Sequence, residues 1–385
     1  MQAAIICASC LVFPFVPAFA GGQSALPDPL KQANGTVINS KDQWEKTLRA
    51  ETLQIFRENV YGITPIGKPA GFRTTVVREI PDALEGRATC KFLEITFNTP
   101  KGERKIHPVV VLPNGRSEPV PCFLLINNRD PKLLDPITSD PFLPVREIIN
   151  RGYAAAAFHY EDVDPDEAGG YSRGIRAAYD SDPPASNAWG SIAAWAWGAS
   201  RVLDGLGSES RIDAGRVAIV GHSRGGKTAL WAGAEDPRFS IIIANNPGIT
   251  GAALNRDGVG ERIERINRKF PYWLCANYKS FDNRENELPV DQHQVIALSA
   301  PRPVYVASAI KDLPADPRSE FRGCVEAAPV FRLYGFESVT RKEFPELGKP
   351  DHGGRVGYHV RPGVHDLTVV DWLHFMDFAK LQWNR

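Results

Sequence analysis

The sequence has no excess of charge of either sign. Its 45 Lys and Arg residues are matched by 45 Asp and Glu, giving a formal net charge of zero. A nucleic-acid binder displaces counterions with a basic face, and this composition supplies no such footprint. Beyond the N-terminus there is also no run approaching the roughly 20 apolar residues that a membrane-spanning helix needs. Cysteine is scarce, with six in 385 residues. The four beyond residue 20 are Cys90, Cys122, Cys275 and Cys324, and no two have CxxC spacing, so a zinc site is not expected. Their pairing is open from sequence, and one bridge or none suits a chain long enough to bury a core without staples. Repeats and low-complexity tracts are absent. With 43% hydrophobic and 23% charged residues, disordered, collagen-like and coiled-coil classes drop out.

Met1–Ala20 holds no charged side chain and ends in Ala18-Phe19-Ala20, followed by Gly21-Gly22. This pattern predicts a cleaved signal peptide over 1–20 and a secreted or periplasmic protein, although no Lys or Arg lies near Met1 and Pro14 and Pro17 interrupt the apolar run. A lipid anchor on Cys10 lacks the usual preceding leucine. Residues 21–385 are then expected to form one catalytic domain with an N-terminal arm. A helix capped by Ser40 and running through Trp44, Leu48, Leu53, Phe56 and Val60 belongs to that arm.

From 71 to 112 the chain alternates like antiparallel strands: 73–78, 92–97 and 107–112. The pattern then changes to continuous apolar runs at 122–127, 153–158, 217–220, 241–244 and 304–307, separated by helical segments such as 189–206 and 228–234. Such runs suit parallel strands covered on both faces, an α/β architecture whose sites gather at the C-terminal strand ends.

At one such end stands Gly221-His222-Ser223-Arg224-Gly225-Gly226-Lys227-Thr228. It fits a phosphate-binding loop, G-x-x-x-x-G-K-[ST], and equally a nucleophile elbow, G-x-S-x-G. Three remote features favour the elbow. At least five strands precede it, a leader points out of the cytoplasm, and an acid and a histidine follow in the order an elbow requires. Asp312 comes soon after the run 304–307, and His365 precedes the C-terminal helix. A serine hydroxyl is a weak nucleophile until an imidazole takes its proton, and a carboxylate fixes that imidazole's tautomer. Ser223 is therefore the candidate nucleophile, His365 the general base and Asp312 the acid. The Arg224 N–H at a helix N-terminus supplies one part of an oxyanion hole.

Each assignment has rivals. Of the eight histidines, His359 competes with His365, His222 is expected to serve packing, His159 to wall the site or join the core, and His352 to be a loop residue. Asp316 and Glu320 compete with Asp312. Asn245-Asn246 leaves no carboxylate after the preceding run. Asp366 is expected to cap the last helix.

Together with Trp189-Gly190 and Trp195-Ala196-Trp197-Gly198, the elbow Gly221–Lys227 (G-x-S-R-x-G-K) and the ending Tyr358-His359…Gly363-Val364-His365-Asp366-Leu367-Thr368…Asp371-Trp372 resemble the glucuronoyl esterases, carbohydrate esterase family fifteen. Asp312…Ala315-Asp316-Pro317…Glu320-Phe321 resembles its bacterial branch. The likeness spans roughly residues 40–383. It implies a three-layer αβα sandwich of the α/β-hydrolase fold with a mostly parallel sheet. It also implies hydrolysis of 4-O-methyl-glucuronic acid esters, as in lignin–xylan linkages of plant cell-wall glucuronoxylan, without metal or cofactor. It gives Arg224 a second role, donating its guanidinium to the oxyanion, and matches Lys227 and Glu261 to positions that bind sugar hydroxyls. On charge alone, Lys227 is equally a solvated helix residue and Glu261 a partner of Arg262 or Arg265. Two departures stand out. Asn246 occupies the place of a glutamate in fungal relatives, and Pro314 that of a pocket tryptophan, for which Trp273 is the candidate substitute. Competing functions are an acetyl or feruloyl xylan esterase, a phosphate-loop NTP-binding protein, and a catalytically idle carbohydrate-binding relative. A monomer is expected.

Overall fold

The computed structural model describes residues 25–134 and 140–384. The expected leader, 1–20, lies outside them. Among the described residues, ten strands form one sheet: β1 (Arg73–Ala83), β2 (Ala88–Thr99), β3 (Gly102–Ile106), β4 (Val109–Pro113), β5 (Val120–Asn127), β6 (Ala154–His159), β7 (Ile212–His222), β8 (Ile241–Asn245), β9 (Val304–Ala309) and β10 (Val356–Arg361). Their order is β1-β2-β4-β6-β5-β7-β8-β9-β10, with β3 paired to β2. From β6 to β10 every pairing is parallel, and from β1 to the β4–β6 junction every pairing is antiparallel. The boundary falls where the sequence changes from alternating to continuously apolar.

One expected strand is corrected. Residues 107–112 do not form a single element, because β3 ends at Ile106 and pairs only with β2, whereas β4 begins at Val109 and reaches β6. Pro108 has no N–H to give the ladder, so the register breaks there.

The parallel strands are buried on both faces, as their runs required. In β5, Cys122, Leu124 and Ile126 face one core, while Phe123 and Leu125 face the other. Over the first face lie helices α1 (Ser191–Leu206) and α2 (Arg224–Glu235). Two shorter helices, α3 (Ile263–Lys269) and α4 (Pro317–Glu326), follow in the chain, and α5 (Val369–Trp383) covers the second face with Trp372, Phe375 and Phe378. The result is the expected three-layer αβα sandwich. α1 is apolar nearly all round because it is enclosed on nearly all sides.

The N-terminal helical stretch starts after Ser40, whose side chain accepts from the Gln43 N–H. It runs to Tyr61 through alternating α and π turns. Tyr61 stacks on Trp231 of α2 at 4.3 Å, with Phe56 beside both. Each such buried ring contributes roughly 1.5–3 kcal/mol. The arm thus braces the helix that carries the elbow. Cys90, Cys122, Cys275 and Cys324 are buried, and no bridge joins any two of these described cysteines. No described helix is long and apolar enough to cross a membrane.

Candidate active site

The octapeptide forms a sharp turn between β7 and α2. Ser223 sits at φ 57°, ψ −123°, a conformation that costs a non-glycine residue ~1–3 kcal/mol. The surroundings enforce it. The Ser223 N–H donates to Asn245 O at 2.9 Å, and its carbonyl accepts from the N–H groups of Gly226 and Lys227 at 2.9 and 3.1 Å. Gly221 makes the turn possible, since a Cβ there would stand 1.9 Å from Gly225 O. Half-buried Ser223 opens onto a cavity of about 350 Å³ whose lining includes Arg224, Lys227, Asn246, Glu261, Asp312 and His365. All six sequence-derived candidates therefore share one cavity.

His365 and Asp312 approach from the loops after β10 and β9. His365 Nδ1 lies 2.5 Å from Asp312 Oδ2. A carboxylate only accepts, so Nδ1 carries the proton and Nε2 is left as the acceptor. The same Oδ2 receives the Asn246 amide at 2.7 Å. Burial pushes the Asp312 carboxyl up, but the bonds from His365, Asn246 and the backbone at Ala315 outweigh it and hold it below the usual range. His222 supports the pair from beneath, with its ring 4.5 Å from that of His365 and its Nδ1 2.6 Å from Asn245 Oδ1. Burial, aided by His365, lowers His222 to about 3, so it stays neutral.

The rivals are placed elsewhere. His359 is fully buried between Tyr305 and Asp371 and does not line the cavity. Asp316 caps α4 by accepting the Ser319 N–H at 3.1 Å. Glu320 is buried, bonded to Ser308 and to the Gly248 N–H (2.7 Å), and burial pushes its carboxyl up to about 8. The expectation that Asp366 caps the last helix is corrected. Thr368 is the cap, in a reciprocal box with Asp371, and Asp366 pairs with Arg129 at 2.6 Å.

Lys227 is not solvated. Its side chain is buried, and Nζ donates to the carbonyls of Pro247 (2.6 Å) and Ile249 (2.5 Å). Burial lowers it to about 8, with Glu261 and Glu320 acting against that shift. Glu261 lies 3.7 Å from Arg265, whereas Arg262 pairs with Glu285. Pro314 lines the wall, and its aromatic surface comes from Phe270 and Trp273, stacked at 3.7 Å. Trp273 is only 2% exposed, so it serves both core and wall.

One residue escaped the sequence reading. The Asp166 carboxylate accepts from Tyr160 and Arg224 on Oδ2 and from Tyr272 and Trp273 on Oδ1. The Arg224 guanidinium lies 4.9 Å from the Trp273 ring and lines the cavity. Burial alone would lower its pKa, but Asp166 more than reverses this. Asp166 stands among Glu161, Asp162, Asp164 and Glu167, and only tertiary contact singles it out.

This arrangement agrees with comparison to known proteins. A family model described as glucuronyl esterase, fungi, matches residues 93–335. The chain belongs to the glucuronoyl esterase family. It is 36% identical to a carbohydrate esterase of an unknown prokaryotic organism, over 92% of this chain and 88% of that one. A 4-O-methyl-glucuronoyl methylesterase of Wolfiporia cocos is 26% identical over 91% of this chain and 79% of its own length. Among solved structures, the glucuronoyl esterase from Solibacter usitatus superposes with a TM-score of 0.87 at 37% identity, covering 96% of this chain and 99% of that one. The esterase thus has the α/β-hydrolase fold.

Proposed function

We propose that the esterase hydrolyses esters of 4-O-methyl-glucuronic acid, such as those joining xylan side chains to lignin alcohols, by a serine mechanism. The observation that carries this is the convergence, on one cavity, of a strained Ser223 and a His365 whose Nδ1 is held by Asp312. Ser223 attacks the ester carbonyl while His365 Nε2 takes its proton. The alkoxide collapses with proton return to the leaving alcohol, and water then releases the uronate from the acyl-enzyme by the same route. The Arg224 N–H and guanidinium stabilise the oxyanion. Lys227 and Glu261 face the sugar hydroxyls. With two protons of its ammonium on Pro247 and Ile249, Lys227 keeps a third for the substrate. The leader-like segment Met1–Ala20 supports action outside the cytoplasm. Hydrolysis of benzyl glucuronate, acetylated xylan and p-nitrophenyl acetate side by side tests the reading. Clear preference for benzyl glucuronate is expected, and preference for acetylated xylan would overturn it.

A further inference from the structure

The geometry points to Asp166 as a positioning residue for Arg224, fixing the guanidinium in the orientation that meets the developing oxyanion. The inference rests on the serine-esterase reading and on the oxyanion role of Arg224. Asp166 carries a side chain 2% exposed with both oxygens doubly engaged. A buried carboxylate needs partners of this kind, and here Arg224 supplies the opposite charge. Its loop is itself anchored. The neighbouring Asp164 accepts from Arg176 (2.8 Å) and Ser191 (2.7 Å), and its carbonyl accepts from Trp195 (2.7 Å).

Arg224 needs such an anchor. It is the first residue of α2 and carries a long side chain with many rotamers, so an unrestrained guanidinium would lose conformational entropy on meeting each transition state. Asp166 ties Nη1, the rings of Trp273 and Phe270 lie at 4.9 and 5.4 Å, and Nε is buried with no partner among the described residues. One arm of the fork is therefore fixed, while the side chain, 29% exposed, still lines the cavity. Asp166 also holds Tyr272 and Trp273, so the oxyanion donor and the aromatic wall hang from one carboxylate.

Two effects of removing the charge oppose each other. Asp166→Asn makes the local potential more positive, which favours an oxyanion, but it releases the guanidinium. Orientation dominates if Asp166 positions Arg224. The test compares kcat and KM for benzyl glucuronate in the wild type, Asp166→Asn, Arg224→Ala and the double variant, with melting temperatures alongside. The expected result is a kcat loss on the order of 10- to 100-fold for Asp166→Asn with little change in KM, and no further loss when it is added to Arg224→Ala. Tyr272→Phe, which removes one donor without touching the charge, should leave kcat within about threefold of wild type. Unchanged or raised kcat in Asp166→Asn overturns the proposal, as does an equal fold-loss in both Arg224 backgrounds, which marks a purely structural role. If Asp166→Asn does not fold, Asp166→Glu, which keeps the charge but displaces it from Arg224, is read in the same cycle: a kcat loss that vanishes in the Arg224→Ala background upholds the proposal, and no loss, or one that persists there, overturns it. If Arg224→Ala itself leaves kcat intact, the oxyanion reading fails first and the proposal with it.

Discussion

Asn246 donates its side-chain amide to the oxygen of Asp312 that also faces His365 Nδ1, at 2.7 Å. A carboxylate at position 246 would repel Asp312, whereas an amide supports it. The strand end after β8 has thus become a hydrogen-bond donor to an acid that follows β9. Asp312→Asn should therefore lower kcat by roughly 10⁴-fold, the size of effect seen when a triad histidine is left in the wrong tautomer. Asp316→Asn should keep the cap, since Asn caps as well as Asp, and lose only the bond from the Val259 N–H, with kcat near wild type. Installing Asn246→Glu in the Asp312→Asn background should recover part of the activity. Steady-state kinetics on benzyl glucuronate reads all three, and a nearly silent Asp312→Asn would refute the acid assignment.

Ser223→Ala should reduce turnover by on the order of 10³-fold or more while leaving the fold intact. Alanine also removes the hydroxyl without relieving the positive φ, so the melting temperature should change little. Near-normal turnover in this variant would sink the serine mechanism.

Arg224→Ala should lower kcat by ~10²–10³-fold, the usual worth of one oxyanion donor, and raise KM less. A rise in KM alone would assign the side chain to substrate binding.

Glu320 predicts a pH dependence of stability. Its carboxyl is raised by burial from 4.5 to about 8, so between those values the folded protein holds a proton that the unfolded chain has released. Stability from this group is greatest below about 4.5 and declines as pH rises toward 8, with no further loss above. Gln mimics the protonated acid, able to accept from Gly248 and donate to Ser308. Glu320→Gln should flatten this part of the melting-temperature profile across pH 5–8 and leave kcat near wild type. A profile identical to wild type would show that Glu320 is ionised throughout.

Much of the site was legible because catalysis in a parallel sheet uses strand ends, and apolar runs mark those ends in sequence. His365 is marked by its place before the C-terminal helix, whereas Ser223 and Asp312 each follow such a run. Asp166 follows one too, but its role depends on Arg224, Tyr272 and Trp273, which come from distant segments, and no local pattern separates it from its acidic neighbours. Asp366 was misplaced for a different reason. Adjacency to His365 outweighed the Thr368…Asp371 spacing, which already carried the reciprocal cap. The break at Pro108 was visible as a residue without a donor, yet the apolar run around it read as continuous. Lys227 read as solvated on charge alone, because the carbonyls of Pro247 and Ile249 that seat it belong to another loop.

Two buried thiols, Cys122 and Cys275, give the esterase internal clocks. Alkylation requires a thiolate, and burial raises the Cys122 thiol well above its ordinary range and the Cys275 thiol to about 11. Cys122 lies in β5 between β6 and β7, so modifying it demands loss of the central sheet. Cys275 lies two residues beyond Trp273, and its labelling instead times opening of the aromatic wall. A ligand seated in the cavity should slow labelling at Cys275 with less effect on its rate relative to global unfolding at Cys122. Peptide-resolved alkylation can thereby separate breathing of the site from melting of the scaffold.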